Sequence, residues 1–274
     1  MKLGLDATTR IFFAFTLLLW LFAAVYAAGY LAADPRKRRF WIFFAATFVG
    51  NAGLVISRDA ASFYLFFALM TFAAYGLVVH AGDAAARRAG RIYIVLAVLG
   101  EAFLLGGLLM AAAAAESLEL EVLRAAIAAS PSRDTIVALL IAGFGVKAGL
   151  LGLHVWLPLA HPVAPAPASA VLSGAMIKAG LLGWIQFLPL GEAALPGWGA
   201  ALAAAGIAAI FYGAIVGVMQ DDAKTVLAYS SVSQMGFMTV ALAAALAQPE
   251  HAEAAVAAAA LYALHHGFAK GALF

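Results

Sequence analysis

The sequence is dominated by apolar runs of about 18 to 24 residues, the length that an α-helix needs to cross the hydrocarbon core of a membrane. Hydrophobic residues fill 66% of the 274 positions and charged residues only 11%, whereas soluble domains are roughly half apolar and a quarter charged. Strand-like alternation is absent, and alanine, leucine and glycine dominate the runs. The sequence therefore predicts an all-α fold, a polytopic transmembrane helical bundle.

We predict nine transmembrane helices, with ends that are accurate to within a few residues. They cover residues 9–31, 40–56, 62–80, 92–114, 135–153, 168–188, 198–219, 225–247 and 254–274. The last predicted helix has no connection after it, so we expect the chain to be a fragment or to receive partner helices from elsewhere.

The charges of the short connections predict the orientation of the chain. The first connection, "DPRKRR", and the third, "AGDAAARRAGR", are basic, and basic connections of this kind lie in the cytoplasm. Alternation then places the N-terminus, the acidic fourth connection and "QPEHAE" outside, and "QDDAK" inside. The signs of these charges agree with nine crossings.

Composition excludes several classes of site. The chain contains no cysteine, which excludes thiolate metal sites, iron–sulfur ligation by this chain and disulfides. A net charge of only +2 gives no indication of a nucleic-acid partner. No phosphate-binding loop, nucleophile with its base or metal-ligand cluster is present. We expect that this chain binds no cofactor.

Three charged residues lie at similar depth within the predicted helices. Glu101 is about 14 Å into its helix at helical rise, and Lys147 and Lys178 are close to the same depth. Such groups are costly in a membrane unless they face partners or water. A buried lysine beside a carboxylate can gain and lose a proton, as a proton relay requires. The alternative is a static ion pair that only holds helices together.

A second charged pair lies near the end of the chain, in "LYALHHGFAKGALF". His266 and Lys270 are four residues apart and share one helical face, whereas His265 points elsewhere. Like charges would repel if both groups were protonated. The pair therefore fits a relay in which one group carries the proton at a time.

Prolines separate the fifth and sixth predicted helices. Pro158 and Pro162 remove backbone hydrogen bonds from any helix that continues through them. The segment is interpreted either as a helix broken at membrane depth, a recurring device at transporter ion sites, or as an ordinary turn outside the membrane. His154 and His161 flank it, either as proton carriers or as interfacial residues.

A further polar segment is "QDDAKTVLAYSSVSQMGF". Asp222 and Lys224 stand at a helix start, where a capping role is a sufficient explanation for the carboxylate. Ser230, Ser231 and Gln234 then enter the helix, where they can bond neighbouring helices or hold water.

Three of these stretches resemble one family: "GFGVKAGLLGLHVWLPLAHPVAPAPASAVLSGAMIKAG", "DDAKTVLAYSSVSQMGF" and "LHHGFAKGALF". The chain resembles the antiporter-like proton-translocating membrane subunits of respiratory complex I, of group 4 hydrogenases and of multisubunit sodium/proton antiporters. It is most similar to the subunit-5-like branch. The resemblance implies an inverted-repeat fold with one broken helix.

The resemblance also implies roles for individual residues. Lys147 matches the central proton-accepting lysine of the broken helix, and Lys178 matches the lysine of the next helix, which passes the proton on. Glu101 matches an acidic position that is usually aspartate. His266 and Lys270 match the later helix of the second repeat. Lys224 matches a lysine that looks largely structural.

The chain departs from the family pattern at several places. Ala68 stands where the family carries the glutamate that pairs with the broken-helix lysine, so Glu101 is expected to take over that role. Tyr262 stands where many members have histidine. The resemblance covers the family's third to about its eleventh helix. It implies one membrane domain, 1–274, with a first five-helix repeat at 40–190 and part of a second at 198–274.

The sequence leaves three functions open. The first is a proton-translocating subunit of a complex I-like or group 4 hydrogenase-like respiratory complex, not catalytic by itself. Its partners would be membrane lipid, other membrane subunits and redox subunits carrying flavin, iron–sulfur or nickel–iron centres. The second is a subunit of a multisubunit sodium/proton antiporter. The third is a non-conducting scaffold. A stand-alone transporter of another substrate is a weaker alternative, because the sequence has no recognisable substrate-pocket signature. We expect a multi-pass protein of the bacterial inner membrane.

Overall fold

The chain folds entirely into helices, which confirms the predicted all-α class. The computed structural model describes residues 1–274, and its only β features are two isolated bridges. The helices are α1 (Ala7–Tyr30), α2 (Lys37–Ile56), α3 (Ala60–Val78), α4 (Ala84–Ala115), α5 (Leu120–Ala129), α6 (Arg133–Ala148), α7 (Trp156–Val163), α8 (Ala166–Val171), α9 (Ile177–Phe187), α10 (Pro196–Val218), α11 (Ala223–Ala247) and α12 (Ala252–Leu273). A π-helical turn, Leu172–Met176, joins α8 to α9.

Seven helical segments are long and apolar enough to cross a membrane. They are α1, α2, α3, α4, the continuous segment from α8 to α9, α10 and α11. Two further predicted spans, 135–153 and 254–274, are occupied by α6 and α12, and α6 has only 16 residues. The segment from α8 to α9 is wholly buried, so it forms the centre of the bundle.

Helix α4 begins ahead of the predicted start at residue 92. It starts at Ala84, and the side chain of Asp83 accepts a hydrogen bond from the backbone N–H of Ala86 at 2.7 Å. The basic third connection therefore consists largely of the first turns of α4. Alanine and arginine are strong helix formers, and an aspartate cap supplies the acceptor that a helix start lacks.

The helix that contains Lys147 ends ahead of Pro158 and Pro162. The prediction that these prolines cause the break was therefore wrong. Helix α6 ends at Ala148, and the next residues include Gly149 and Gly152 at φ values of 75° and 90°. Glycine adopts this left-handed conformation without steric cost. Pro158 is the third residue of α7, where no intrahelical N–H bond is lost. The glycines end the first half of the broken helix.

One end of the bundle gathers the segments that are predicted to be external. Arg58, which follows α2, pairs with Asp6 ahead of α1 and with Glu121 of α5, the latter at 3.0 Å. Lys2 pairs with Glu119 beside them. These ion pairs tie the N-terminus, the α2–α3 connection and α5 together.

The opposite end gathers the basic connections. Arg36, after α1, donates a hydrogen bond to the carbonyl oxygen of Ala81, after α3, at 2.6 Å. Asp34 and His80 join the same two connections, with 3.0 Å between the carboxylate oxygen and the ring nitrogen Nε2. The two ends thus group the connections as the predicted alternation does.

Candidate functional site: two buried lysine clusters

Lys147 occupies the last turn of α6, directly before the break. Its side chain is buried, with the residue only 4% exposed. The helix ends one residue later, at Ala148. A cation at this position interacts favourably with the partial negative charge of the helix C-terminus. The break therefore places the ammonium group where the backbone itself supplies part of its counter-charge.

Three aromatic rings surround this ammonium group. Its nitrogen lies 5.3 Å from the ring centre of Tyr93, 5.7 Å from that of Trp156 and 5.9 Å from that of Phe67. These distances are within the range of cation–π attraction. The indole N–H of Trp156 donates a hydrogen bond to the carbonyl oxygen of Val146 at 2.7 Å, so the start of α7 satisfies a carbonyl at the end of α6.

Hydrogen bonds extend from Lys147 to α3 and α4. The ammonium group donates to the phenol oxygen of Tyr93 at 3.1 Å, and the phenol donates in turn to the backbone carbonyl of Thr71 at 2.7 Å. Tyr93 is buried. Its hydroxyl thus connects the broken helix with the middle of α3.

Glu101 lines the same small cavity as Lys147 and Thr71. It is 5% exposed, and neither of its carboxyl oxygens has a hydrogen-bond partner in the protein. It forms no direct ion pair with Lys147. The cavity leaves about 10 Å³ for the centre of a water-sized sphere, close to the minimum for one water molecule. Glu101 and Lys147 therefore border the same small cavity without a direct ion pair.

A close approach of two helices creates this arrangement. A Cβ atom added to Gly143 of α6 would lie 2.8 Å from the backbone nitrogen of Leu104 and 3.0 Å from the carbonyl oxygen of Gly100, both in α4. The sequence predicts that the glycines in "GFGVKAG" allow membrane helices to pack closely in this way. Glu101 follows one of these contact points directly.

Ala68 does not line this cavity. Helix α3 contributes Phe67 and Thr71 to it instead. The carboxylate that the family pattern places at position 68 thus has no substitute on α3, and Glu101 of α4 is the acidic group beside Lys147.

The second cluster contains Lys178 and Lys270, with a pair of serine hydroxyl groups between the backbone carbonyls that the two lysines bond. Lys178, which is fully buried, donates to the backbone carbonyl of Ser173 at 2.5 Å. The hydroxyl oxygens of Ser173 and Ser231 are 2.8 Å apart, and Ser231 donates to the carbonyl of Leu227 at 2.9 Å. Lys270 donates to that same carbonyl at 2.8 Å. Ser173 lies in the π-helical turn, a type of distortion frequent at functional sites.

His266 is buried beside these lysines. Both of its ring nitrogens lack a partner in the protein, and the ring is within electrostatic range of Lys178 and Lys270. Helix α12 can approach this position because residue 267 is glycine. A Cβ atom there would lie 3.0 Å from the carbonyl oxygen of Gly174. His265, by contrast, is exposed, as its predicted orientation requires.

The two clusters adjoin where α6 packs on α9. A Cβ on Gly180 would lie 2.6 Å from the backbone nitrogen of Ala148. Ala148 follows Lys147 directly, and Gly180 is in the same turn as Lys178. The structure thus brings five of the six predicted proton-transfer residues into two neighbouring groups.

His154, the sixth, lies in the break itself. Its ring nitrogen Nδ1 accepts a hydrogen bond from the backbone N–H of Gly152 at 3.2 Å, and the ring packs against Tyr212 at 5.1 Å between centres. It lines a separate cavity of about 580 Å³ together with Arg88 at the basic end of the bundle.

The predicted capping residues are found at helix ends. The side chain of Asp222 accepts from the backbone N–H of Thr225 at 2.8 Å and so caps α11. Lys224 donates to the carbonyl of Ala164 at the end of α7, at 2.7 Å. Both contacts stabilise helix termini.

The remaining predicted polar residues have varied surroundings. The amide oxygen of Gln234 accepts a hydrogen bond from the Tyr262 hydroxyl. His161 is fully buried, stacks on Phe274 at 4.5 Å between ring centres, and leaves both ring nitrogens unpartnered. Ser230 is half-buried.

The sequence did not identify the surroundings of the two lysines. They are the rings of Phe67, Tyr93 and Trp156 near Lys147, the carbonyl of Thr71, which accepts from Tyr93, and the carbonyl of Ser173, which accepts from Lys178. A tyrosine or tryptophan inside an apolar helix is a weak signal by itself, because such residues are also common at membrane interfaces. Only the packing of separate helices identifies them as partners.

Comparison with known proteins identifies a family. Residues 57–274 match the family described as NADH:quinone oxidoreductase/Mrp antiporter, TM. NADH-quinone oxidoreductase subunit N of Desulforudis audaxviator (strain MP104C) is 33% identical over 267 residues, which cover 93% of this chain and 51% of that protein. Na(+)/H(+) antiporter subunit A1 of Staphylococcus haemolyticus (strain JCSC1435) is 30% identical over 262 residues, covering 91% of this chain and 32% of that protein.

The fold has a close match among solved structures. A chain of the Mrp complex from Dietzia sp. DQ12-45-1b superposes with a TM-score of 0.90 at 24% identity, over 99% of this chain and 29% of that one. This chain spans between about a third and a half of the length of the two curated relatives. The predicted resemblance and the antiporter-like membrane fold are thus confirmed. The chain is a multi-pass integral membrane protein that belongs to the NADH:quinone oxidoreductase/Mrp antiporter transmembrane family.

Proposed function

We propose that the chain forms part of a proton-translocating membrane subunit of a complex I-like or hydrogenase-like respiratory complex. The observation that carries the proposal is the pair of adjoining lysine clusters, buried at the centre of the bundle. Intramembrane ionisable residues mark ion pathways by default. A purely structural pair would be expected to have direct ionic contacts, whereas Glu101 and Lys147 line one small cavity without forming an ion pair.

In the proposed path the carboxyl of Glu101 and the ammonium of Lys147 exchange a proton across the small cavity. The proton then passes to Lys178 on the adjacent helix and on to the group formed by His266 and Lys270. The Ser173–Ser231 hydroxyl pair lies beside this last step, between the two backbone carbonyls that accept hydrogen bonds from Lys178 and Lys270. The residues of the break, including His154, give access from the basic, cytoplasmic end.

The proposal extends to partners and location. Proton movement in this scheme is coupled to redox chemistry in other subunits, which hold the flavin, iron–sulfur or nickel–iron centres, and the chain itself binds no cofactor. It lies in the bacterial inner membrane beside other membrane subunits. The presence of other membrane subunits is supported by the similarity to subunit N of an NADH-quinone oxidoreductase and to a chain of the Mrp complex, because both are parts of multisubunit assemblies.

The test removes the central lysine in the intact complex. Lys147→Ala, in the reconstituted complex that contains the chain, should lower proton flux and coupled turnover at least about 100-fold, the lower range for loss of a proton-transfer group. Lys37→Ala, at an exposed lysine outside the bundle core, is the matched control. Wild-type flux in Lys147→Ala would instead favour the non-conducting scaffold.

A second variant separates a relay from a static pin. Glu101→Gln keeps the shape of the side chain and removes its proton exchange. A relay predicts fully assembled complexes without flux, and a pin predicts poor assembly with normal flux in each assembled complex. A relative that carries the glutamate at the position of Ala68 should be less sensitive to the equivalent change.

Sodium/proton antiport is the second candidate, favoured by the 30% identity to an antiporter subunit. Uptake of radioactive sodium into vesicles under an imposed pH gradient distinguishes the two. Sodium movement that requires Lys147 supports antiport, and sodium-independent proton flux supports the respiratory subunit.

A further inference from the structure

The acidic end of the bundle contains a third cavity, which the lysine clusters do not use. Its volume is about 390 Å³. Five segments line it: the residues before and at the start of α1, the α2–α3 connection, α5, the end of α9 with the connection that follows, and the start of α12. The predicted alternation places each of these segments on the outer side of the membrane.

Carboxyl groups outnumber guanidinium groups around this cavity. The carboxyl side chains are Asp6, Glu121, Glu192 and Glu253, and the guanidinium side chains are Arg58 and Arg124. Asp6 and Glu121 both pair with Arg58. Glu192 and Glu253 are exposed and form no ion pair, so the cavity is negative overall. A cleft lined by an excess of one sign concentrates ions of the opposite sign.

The inner end of the cavity contains a polar group without a partner. Gln186 lines the cavity and is 6% exposed, and neither its amide oxygen nor its amide nitrogen has a hydrogen-bond partner in the protein. Buried amides are nearly always hydrogen-bonded, and an exception requires an explanation. Each amide atom exposes less than 1 Å², so the side chain gains a partner only by turning into the cavity. A bound ion with its water supplies that partner, because a carbonyl-type oxygen is a ligand for hard cations.

Helix α9 connects this amide with the lysine path. Lys178, Leu182 and Gln186 are spaced by four residues and share one face of the helix. Leu182 also lines the cavity and is fully buried. The cavity therefore ends one helical turn, about 6 Å along the axis, from Lys178.

We propose that this cavity is an outer cation vestibule, which holds a hydrated monovalent cation, hydronium or sodium, beside Gln186 and opens towards Lys178 past Leu182. The connection to Lys178 rests on the proposed function, whereas the cation preference of the vestibule does not. Its acidic rim attracts cations from the outer solution, Gln186 receives them at the inner end, and the apolar Leu182 separates them from the lysine.

The absence of cysteine from the chain allows a direct test. Ile185→Cys places a thiol inside the vestibule and leaves Gln186 intact, and Ser132→Cys, at an exposed position outside the cavity, is the control. The intact complex in oriented vesicles is treated with membrane-impermeant cationic and anionic methanethiosulfonate reagents of similar size. Glu253→Cys, at the exposed rim, serves as the reporter if Ile185→Cys does not assemble.

The vestibule predicts labelling from the outer side only. At the reporter, the ratio of the cationic to the anionic rate should exceed the ratio at Ser132→Cys by at least about tenfold. Glu192→Gln combined with Glu253→Gln should reduce this excess at Ile185→Cys. Replacing choline chloride by sodium chloride at constant ionic strength should slow the cationic reagent, and Gln186→Leu should abolish that protection.

Several outcomes would overturn the proposal. A ratio equal to that of the control, labelling from the inner side, or sodium protection that persists in Gln186→Leu each removes the cation site. Failure of the vestibule can be distinguished from failure of the proposed function, because the labelling reaction does not require ion transport. If flux does not depend on Lys147 and the labelling pattern still holds, the vestibule stands and only its connection to the lysine path fails.

Discussion

The ammonium group of Lys147 donates a hydrogen bond to the phenol of Tyr93, and this contact links the end of the broken helix to α4. The phenol in turn donates to the backbone of α3. One buried hydroxyl thus fixes the lysine relative to two helices of the bundle. Tyr93 is a positioning residue for the proton carrier, because its orientation decides how the ammonium group faces Glu101.

Removal of that hydroxyl is expected to slow proton movement without disrupting the bundle. A hydrogen bond to a charged group contributes about 1.5–3 kcal/mol, so Tyr93→Phe should lower proton flux per assembled complex by about tenfold or more. Tyr30→Phe, at an exposed tyrosine, is the control. Flux equal to wild type in Tyr93→Phe would show that the aromatic rings alone position Lys147.

The two serine hydroxyls between Lys178 and Lys270 are expected to act as one unit. Ser173→Ala and Ser231→Ala should each lower stability by about 1 kcal/mol. The double variant should lose less than the sum, because the first substitution already removes their shared hydrogen bond. Thermal unfolding of the purified complex with each single variant and with the double variant measures these losses. Additive losses would show that the hydroxyls act independently, and Ser230→Ala, which removes no hydrogen bond seen in the structure, should have little effect.

The break after Lys147 depends on glycine. Gly149→Ala should lower stability by about 1–3 kcal/mol, the usual cost of a strained backbone conformation, because its φ is 75° and the new Cβ would lie 2.6 Å from Leu157 Cδ1. Gly29→Ala is the matched control, since no atom lies within 4 Å of the added Cβ. It should be neutral or stabilise the chain by up to about 1 kcal/mol. Equal effects at the two positions would contradict the steric explanation.

The contact between Asp34 and His80 predicts a pH dependence. The hydrogen bond from His80 holds the pKa of the Asp34 carboxyl below its ordinary value. A carboxyl whose pKa is lower in the folded state contributes stability above its unfolded-state pKa, and that contribution is lost as the pH falls through the folded-state pKa. Asp34→Asn should therefore lower the unfolding temperature slightly at pH 7.

The difference in unfolding temperature between Asp34→Asn and the wild type should shrink below about pH 3.9, the ordinary pKa of aspartate, as the wild-type carboxyl becomes protonated. Unfolding temperatures of both proteins between pH 3 and pH 7 provide the measurement. Asp221→Asn, at an exposed carboxyl without an ion pair, should match the wild type throughout. A deficit in Asp34→Asn that is unchanged at pH 3 would rule out the carboxylate as its origin.

Local patterns predicted most of the helices, because the length of an apolar run is set by the thickness of the membrane and needs no partner to be recognised. They placed the start of α4 too late, because its basic residues resemble a connection although arginine and alanine propagate a helix well. They also attributed the break to Pro158 and Pro162. Both prolines lie in α7, whereas the left-handed backbone of Gly149 ends α6.

The sequence by itself determined that the chain crosses the membrane several times and that Glu101, Lys147, Lys178, His266 and Lys270 are placed within apolar helices. Only the tertiary structure decided what these residues contact. Tyr93 lies far from Lys147 along the chain, and Thr71 and Ser173 accept hydrogen bonds from Tyr93 and Lys178 through backbone carbonyls, so no spacing rule identifies them. Their contacts arise from the close packing of α4, α6, α9 and α12, which depends on the shapes of all four helices at once.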